Sequence, residues 1–244
     1  MNNYNYPQPP SFDSNANMLS VESRVGAAMK SIYLKMTLAL ALTGFVAYFL
    51  GYSAPGTVSA YNYYFFTHSW MQWVLIIAEL GLVIGISGGI TRLSTAAGTA
   101  LFYLFAVVNA LTLTPIFAIY TGTSIAKTFF ITAGTFGAMS IYGYTTRTDL
   151  SKMGKILIMA LIGLIIASLV NIFTKSSTFD WIISFFGVAI FVGLTAWDTQ
   201  QLKRMAQVIP ASEIGRLATI GALNLYLDFV NMFLYLLRFF GDRD

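Results

Sequence analysis

Of 244 residues, 57% are hydrophobic and 10% charged, with a mean hydropathy of +0.69; soluble domains carry about 25% charged residues, so a soluble enzyme or scaffold is excluded and an all-α membrane protein is expected. The net charge of +4 and pI near 9.2 come from Lys and Arg scattered between apolar stretches, with no basic patch interleaved with aromatics, so nucleic acid is not an expected partner. With 0 cysteines there are no disulfides and no thiol chemistry.

In chain order, residues 1–23 are rich in Asn, Pro and Ser and poor in aliphatics, a composition that predicts a disordered tail. It lacks the cationic start, short apolar core and small-residue cleavage site of a signal peptide. Residues 24–244 then read as one transmembrane domain. About 20 apolar residues cross the roughly 30 Å hydrocarbon layer as a helix, and seven stretches qualify: Ile32–Gly51, Trp70–Ile90, Ala97–Ile119, Ile125–Tyr144, Ile156–Phe173, Ile182–Leu202 and Ala218–Phe240. The single histidine, His68, falls between the first two spans beside Trp70, an interfacial position rather than a metal site.

Small residues mark expected close approaches between helices: Gly81, Gly85 and Gly89 on the second span, Gly134 and Gly137 on the fourth, Gly163 and Ala167 on the fifth. Pro115 removes a backbone donor inside the third span and predicts a kink. Lys and Arg orient the chain. With the N-terminus cytoplasmic, the inside segments hold Arg24, Lys30, Lys35, Arg92, Arg147, Lys152, Lys155, Lys203, Arg204 and Arg216, and the outside segments only Lys127, Lys175, Arg238 and Arg243. Seven crossings then put the C-terminus outside.

Two acids, Asp198 and Asp228, lie inside the sixth and seventh spans. An acid at bilayer depth costs about 2.5–3.5 kcal/mol on insertion scales and is normally turned inward to a partner. On the seventh span Asn224, Asp228, Asn231, Tyr235 and Arg238 share one helical face, and on the sixth Thr195 and Thr199 flank Asp198. A polar stripe on an apolar helix lines an aqueous path or packs inside a bundle. Glu79 sits near the middle of the second span and Arg92 at its cytoplasmic end, at a depth similar to Asp198. Two carboxylates within reach of each other share protons in steps that belong to the pair, or hold a divalent cation such as Ca²⁺ between their oxygens; a purely structural role as hydrogen-bonded polar glue is the alternative. A retinal protein would need a Lys in the last span, and there is none. An intramembrane aspartyl protease would need Tyr-Asp and Gly-x-Gly-Asp motifs, whereas the acids sit in Ala196-Trp-Asp198 and Tyr226-Leu-Asp228. The chain is not read as an enzyme, and no cofactor is required.

The stretches Leu113-Thr-Pro-Ile-Phe-Ala-Ile-Tyr120, Phe136-Gly-Ala-Met-Ser-Ile-Tyr-Gly-Tyr144 followed by Thr-Thr-Arg-Thr-Asp-Leu-Ser151, Asn171-Ile-Phe173 and Ala196-Trp-Asp-Thr-Gln200 together resemble the Bax inhibitor-1, or transmembrane Bax inhibitor motif, family. The resemblance implies a bacterial inner-membrane protein of seven helices with the seventh central and wrapped by the other six. It implies a pH-sensitive calcium leak in which Asp198 and Asp228 form the sensor, Arg92 is the latch and Glu79 lies near the pore. Protonation of the pair, or its pairing with Arg92, is expected to close the path. The partners expected are the bilayer and Ca²⁺. An alternative is a non-conducting modulator of a membrane-bound AAA protease or of a stress response.

Overall fold

A computed structural model describes residues 14–53, 57–89 and 92–242, with side chains from Val21 onward. The described chain is helical: α1 (Ser14–Gly51), α2 (Ala60–Thr67), α3 (Ser69–Gly89), α4 (Thr95–Leu113), α5 (Ile116–Ile119), α6 (Gly122–Thr145), α7 (Ser151–Thr174), α8 (Ser177–Val208) and α9 (Ile214–Phe240), with a 3₁₀ turn at Ala211–Glu213. Hydroxyl side chains begin several of them. Ser59, Ser94, Thr121 and Ser176 accept from the amides of Asn62, Ala97, Ser124 and Phe179, each satisfying a donor that a helix start leaves free.

The expected tail to residue 23 is corrected in part. Residues 1–13 lie outside the described residues, but 14–23 already belong to α1. Extending a formed helix by a residue is far cheaper than nucleating one, so α1 propagates backwards into polar sequence once past the prolines. At Pro115 the helix is interrupted as expected: α4 ends at Leu113, Thr114 and Pro115 keep right-handed helical dihedrals, and the four-residue α5 continues the same span to Ile119.

Among the described residues six helical segments are long and apolar enough to cross a membrane: Val21–Gly51, Ser69–Gly89, Thr95–Ile119, Ser151–Thr174, Ser177–Val208 and Ala211–Phe240. The protein is an integral membrane protein. The seventh expected span, in α6, has the length (24 residues) but less apolar character, because it carries a hydroxyl face. That face is hidden: Ser124, Thr128, Thr132 and Ser140 are buried where α6 packs on α8 and α9, while Phe130 and Ile141 face outward.

The helices differ sharply in burial. In α9, 67% of the apolar window is inside the protein, against 11% in α3 and 6% in α7. α9 packs on α1, α4, α6 and α8; α3 rests chiefly on α4, and α7 on α8. One hydrophobic core joins them through Ile32, Ile86, Phe102, Phe136, Leu164, Phe191 and Tyr226. The ammonium of Lys35 on α1 reaches two hydroxyls, Thr99 Oγ1 on α4 and Thr219 Oγ1 on α9, each at 2.8 Å, so a cation inside the first span fastens three helices together.

The glycine stripes do not mark these contacts. A Cβ added at Gly81, Gly85, Gly134, Gly137 or Gly163 would meet nothing within 4 Å. Spacing places these glycines on shared faces, but on α3 and α7 the face looks outward because the helices are peripheral, and on α6 Gly137 opens onto a cavity beside α1. The close approaches are elsewhere: Gly143 lies on the Ala196 carbonyl, Gly154 on the Trp197 indole, Gly187 on the Tyr235 ring and Gly221 on Leu202 and Ile32.

His68 stacks on Tyr64 with ring centroids 3.9 Å apart beside exposed Trp70, as an interfacial aromatic group does. Between α2 and α4 the Tyr61 hydroxyl donates to the Leu111 carbonyl at 2.8 Å, and burial pushes this phenol up to about 12.

Gly143→Val should therefore lower stability by about 1–3 kcal/mol, the usual cost of overpacking, whereas Gly163→Ala should be neutral or gain up to about 1 kcal/mol from helix propensity. Thermal unfolding of the two variants in detergent distinguishes them.

Candidate functional site

Helices α8 and α9 form the most extensive helix pair in the bundle, joined by a tight turn. That hairpin brings the carboxyl groups of Asp198 and Asp228 within hydrogen-bonding reach of each other. Asp228 is 5% exposed, and among the described residues no donor hydrogen-bonds its Oδ2. A buried carboxyl oxygen without a donor costs about 1–3 kcal/mol or more. The neighbouring carboxyl can remove that cost in one way, by sharing a proton; a cation between the oxygens is the other. Among the described residues no group of three or more His, Cys, Asp or Glu gathers around a common point. Two carboxyls supply at most four oxygens, fewer than the 6–8 that Ca²⁺ takes, so carbonyls or water would have to complete its shell at this pair.

The residues expected to line a path divide. Thr199 Oγ1 lies 3.3 Å from the Tyr33 hydroxyl of α1. Thr195 is buried and donates back to the Phe191 carbonyl at 2.8 Å, so its proton is spent within its own helix, as mid-helix Thr commonly does. Asn231 likewise donates to the Leu227 carbonyl at 2.8 Å, and Asn224 is half-buried. Farther along the stripe Tyr235 stacks on Phe191 and Arg238 pairs with Asp180 of α8 at 3.1 Å. A cavity of about 330 Å³ opens there, lined by Ser168, Asn171, Asp180, Tyr235 and Arg238 among others.

Two expected members stand apart from the aspartates. Arg92 lies past the end of α3, exposed in the turn before α4, and it makes no ion pair among the described residues. Similar depth did not suffice, because α3 is separated from α8 by other helices. Glu79 accepts from Asn109 Nδ2 of α4 at 3.1 Å; Asn109 Oδ1 accepts from the Tyr226 hydroxyl at 2.9 Å, which is 2.7 Å from Thr43 Oγ1 on α1. This four-helix chain was not read from the sequence. Tyr226 stands two residues from Asp228, about 200° around the helix, so Glu79 and Asp228 address opposite faces of α9. A Tyr in a Leu- and Phe-rich span reads as core, and only the presence of Asn109 in the third span hinted at a partner for Glu79.

The segments singled out as motifs are docked on each other beside Asp198. Gln200 Oε1 accepts from the Leu150 amide at 2.9 Å and its Nε2 donates to the Thr148 carbonyl at 2.8 Å. Arg204 pairs with Asp149 at 2.8 Å. Asp149 also accepts from the Ser151 amide at 3.0 Å, and that bond first, then the Ser151 hydroxyl and Arg204, hold its carboxyl down at about 2. The α6–α7 turn is thus clasped to the helix that carries Asp198.

The family model described as "Inhibitor of apoptosis-promoting Bax1" matches residues 25–244. "Inner membrane protein YbhL" of Escherichia coli is 48% identical over 228 residues, 91% of this chain and 95% of that one. A protein of Borreliella burgdorferi is 52% identical over 180 residues, 73% of this chain and 78% of its own. One from Rickettsia prowazekii is 43% identical over 217 residues, covering 88% and 89%.

Two outcomes follow. Gln200→Ala should cost about 1–3 kcal/mol, since the buried Leu150 amide loses its acceptor, and should raise hydrogen exchange at Leu150. Because the Asp149 carboxyl titrates below its ordinary value, the clasp is fully present above pH 4 or so and should be lost only as pH falls through about 2, read by the Asp149 carboxyl chemical shift.

Proposed function

Because the chain belongs to the Bax inhibitor-1 family, we propose that it is a passive, pH-sensitive cation leak, with Ca²⁺ as the ion, whose response is set by the Asp198–Asp228 pair. The observation that carries this reading is the pairing itself: two carboxyls within hydrogen-bonding reach on adjoining helices, one of them with an oxygen that no protein donor satisfies. With a shared proton the pair draws α8 and α9 together; with both groups charged they repel, at the place where those helices meet. Charge on this pair is therefore a lever on the helix contact.

On this reading the path follows the α9 stripe from Asp228 past Asn231 and Tyr235 to the cavity at Arg238, and the Arg238–Asp180 ion pair stands across its end. The burial of α9 and its packing on four other helices support a bundle of seven spans with the last one central, α6 being the seventh. The inward hydroxyl face of α6 leaves an apolar surface for lipid. The ten-to-four distribution of Lys and Arg supports a cytoplasmic N-terminus and an outer C-terminus in a bacterial inner membrane.

Purified protein in liposomes should admit Ca²⁺ at a rate that changes between pH 6 and 8 by at most about tenfold per pH unit, as for one titrating step. Asp198→Asn combined with Asp228→Asn, which removes the charge permanently, should leave a rate that no longer follows pH. Unchanged pH dependence in the double variant removes the sensor, and absence of flux from the wild type removes the leak.

A further inference from the structure

Helices α1 and α6 both pack on α9 yet hardly touch each other, and between them runs a continuous groove. Two cavities of about 430 and 510 Å³ share Tyr33, Gly137 and Ser140, and the larger continues into a third through Gly44, Phe129 and Phe229. From Lys30 to Gly44 the groove follows α1 for about 21 Å at 1.5 Å per residue, comparable to one leaflet. Its floor is Phe229 of α9, and its walls open where glycines stand: a Cβ at Gly44 or Gly137 would meet nothing within 4 Å.

Chemistry changes along the groove. The inner length is aliphatic and aromatic. Toward one end lies Ser140, 6% exposed, whose hydroxyl has no hydrogen-bond partner, although a mid-helix serine ordinarily donates to the carbonyl four residues back. At the mouth, Lys30 lines the cavity beside Tyr144 and Thr145. Lys203 stands over the Tyr144 ring, 4.5 Å from its centroid. No Asp or Glu lines either of the two larger cavities.

We propose that the α1–α6 groove is a binding site for one anionic glycerophospholipid, with an acyl chain between Gly44 and Gly137, the ester region at Ser140 and the phosphate at Lys30. Ser140 lies five residues, about 7.5 Å, inside the end of α6, which is the depth of the ester layer when Thr145 is at the headgroups; the interfacial zone on each side is about 5–8 Å thick. The orphan hydroxyl then donates to an ester carbonyl. The Lys30 ammonium, in a cavity that no Asp or Glu lines, complements a phosphate, and an acyl chain fits a slot lined by Met36, Leu40, Ala41, Gly44, Phe129 and Phe229 among others. An apolar transmembrane helix of a partner would satisfy neither the hydroxyl nor the Lys30 ammonium. The groove also reaches the aspartate site, because Tyr33 in its wall lies 3.3 Å from Thr199, next to Asp198.

The test is native mass spectrometry of the full chain, purified in detergent and offered phosphatidylglycerol and phosphatidylethanolamine in equal amounts. The wild type should retain one phosphatidylglycerol, preferred about fivefold, the worth of one lysine near a phosphate. Gly137→Leu, at a position where an added Cβ meets nothing within 4 Å, should reduce retention about tenfold by excluding two or more chain methylenes. Gly163→Leu, on the outer face of α7, should change nothing. Lys30→Gln, at an exposed position that leaves folding intact, should abolish the headgroup preference. Equal retention by the Gly137 and Gly163 variants, absence of a preference, or a second protein copy in place of the lipid would each overturn the assignment. None of these readouts involves ion flux.

Discussion

Asp228 and Tyr226 stand two residues apart on α9, facing opposite ways, and hydrocarbon offers neither a hydrogen bond. A polar group without a partner in lipid costs several kcal/mol, so each must find its partner on another helix. Asp228 finds the Asp198 carboxyl of α8. Tyr226 finds Asn109 of α4 and Thr43 of α1, and about two turns toward the N-terminus Thr219 takes the Lys35 ammonium. An α9 with these demands on several sides can only be an interior helix. The burial of its apolar remainder, Leu223, Leu225, Met232 and Leu237, follows from that.

Enclosure of α9 leaves other helices on the outside. α3 and α7 cover α4 and α8 and present Trp73, Ile77, Ile84, Met159, Ile166 and Phe173 outward, as lipid-facing helices do. Because α1 packs on α9 and α4 while α6 packs on α8 and α9, a gap remains between the two. Near Asp198 the opposite holds. Gly143 and Gly154 admit Ala196 and Trp197, Gln200 holds two backbone groups of the α6–α7 turn, and Arg204 holds Asp149. One end of α8 is therefore anchored firmly, while its contact with α9 contains the Asp198–Asp228 carboxyl pair. On the proposed reading, a rigid arm beside that pair turns its charge into helix displacement.

Much of the site was legible because an acid in an apolar span is conspicuous in any membrane sequence. Asp198 and Asp228 were found in that way, and the shared hairpin explains their meeting. Partner choice was not legible. Thr195 and Asn231 share a face with the acids on a helical wheel yet spend their donors on carbonyls four residues back, an option every mid-helix Thr or Asn has. Glu79 answers to Asn109 and Tyr226, across the bundle from the aspartates. Arg92 has the depth of Asp198 but points from a turn on the periphery. The glycine stripes were equally ambiguous: spacing says that residues share a face, not which way the face turns.

What the amino-acid sequence determined by itself is the set of helices and their character. An apolar run as long as the hydrocarbon layer has no alternative to a helix, since every backbone group must be satisfied within the segment, and Pro115, lacking a backbone donor, disturbs the one it sits in. What only the tertiary structure decided is azimuth and neighbour: the docking of α8 on α9, the Tyr226 chain to Glu79, the bare glycines and the slot between α1 and α6. Rotation of a helix about its axis is set by packing and hydrogen bonds to residues far away in the chain. Periodicity along one helix carries no record of them.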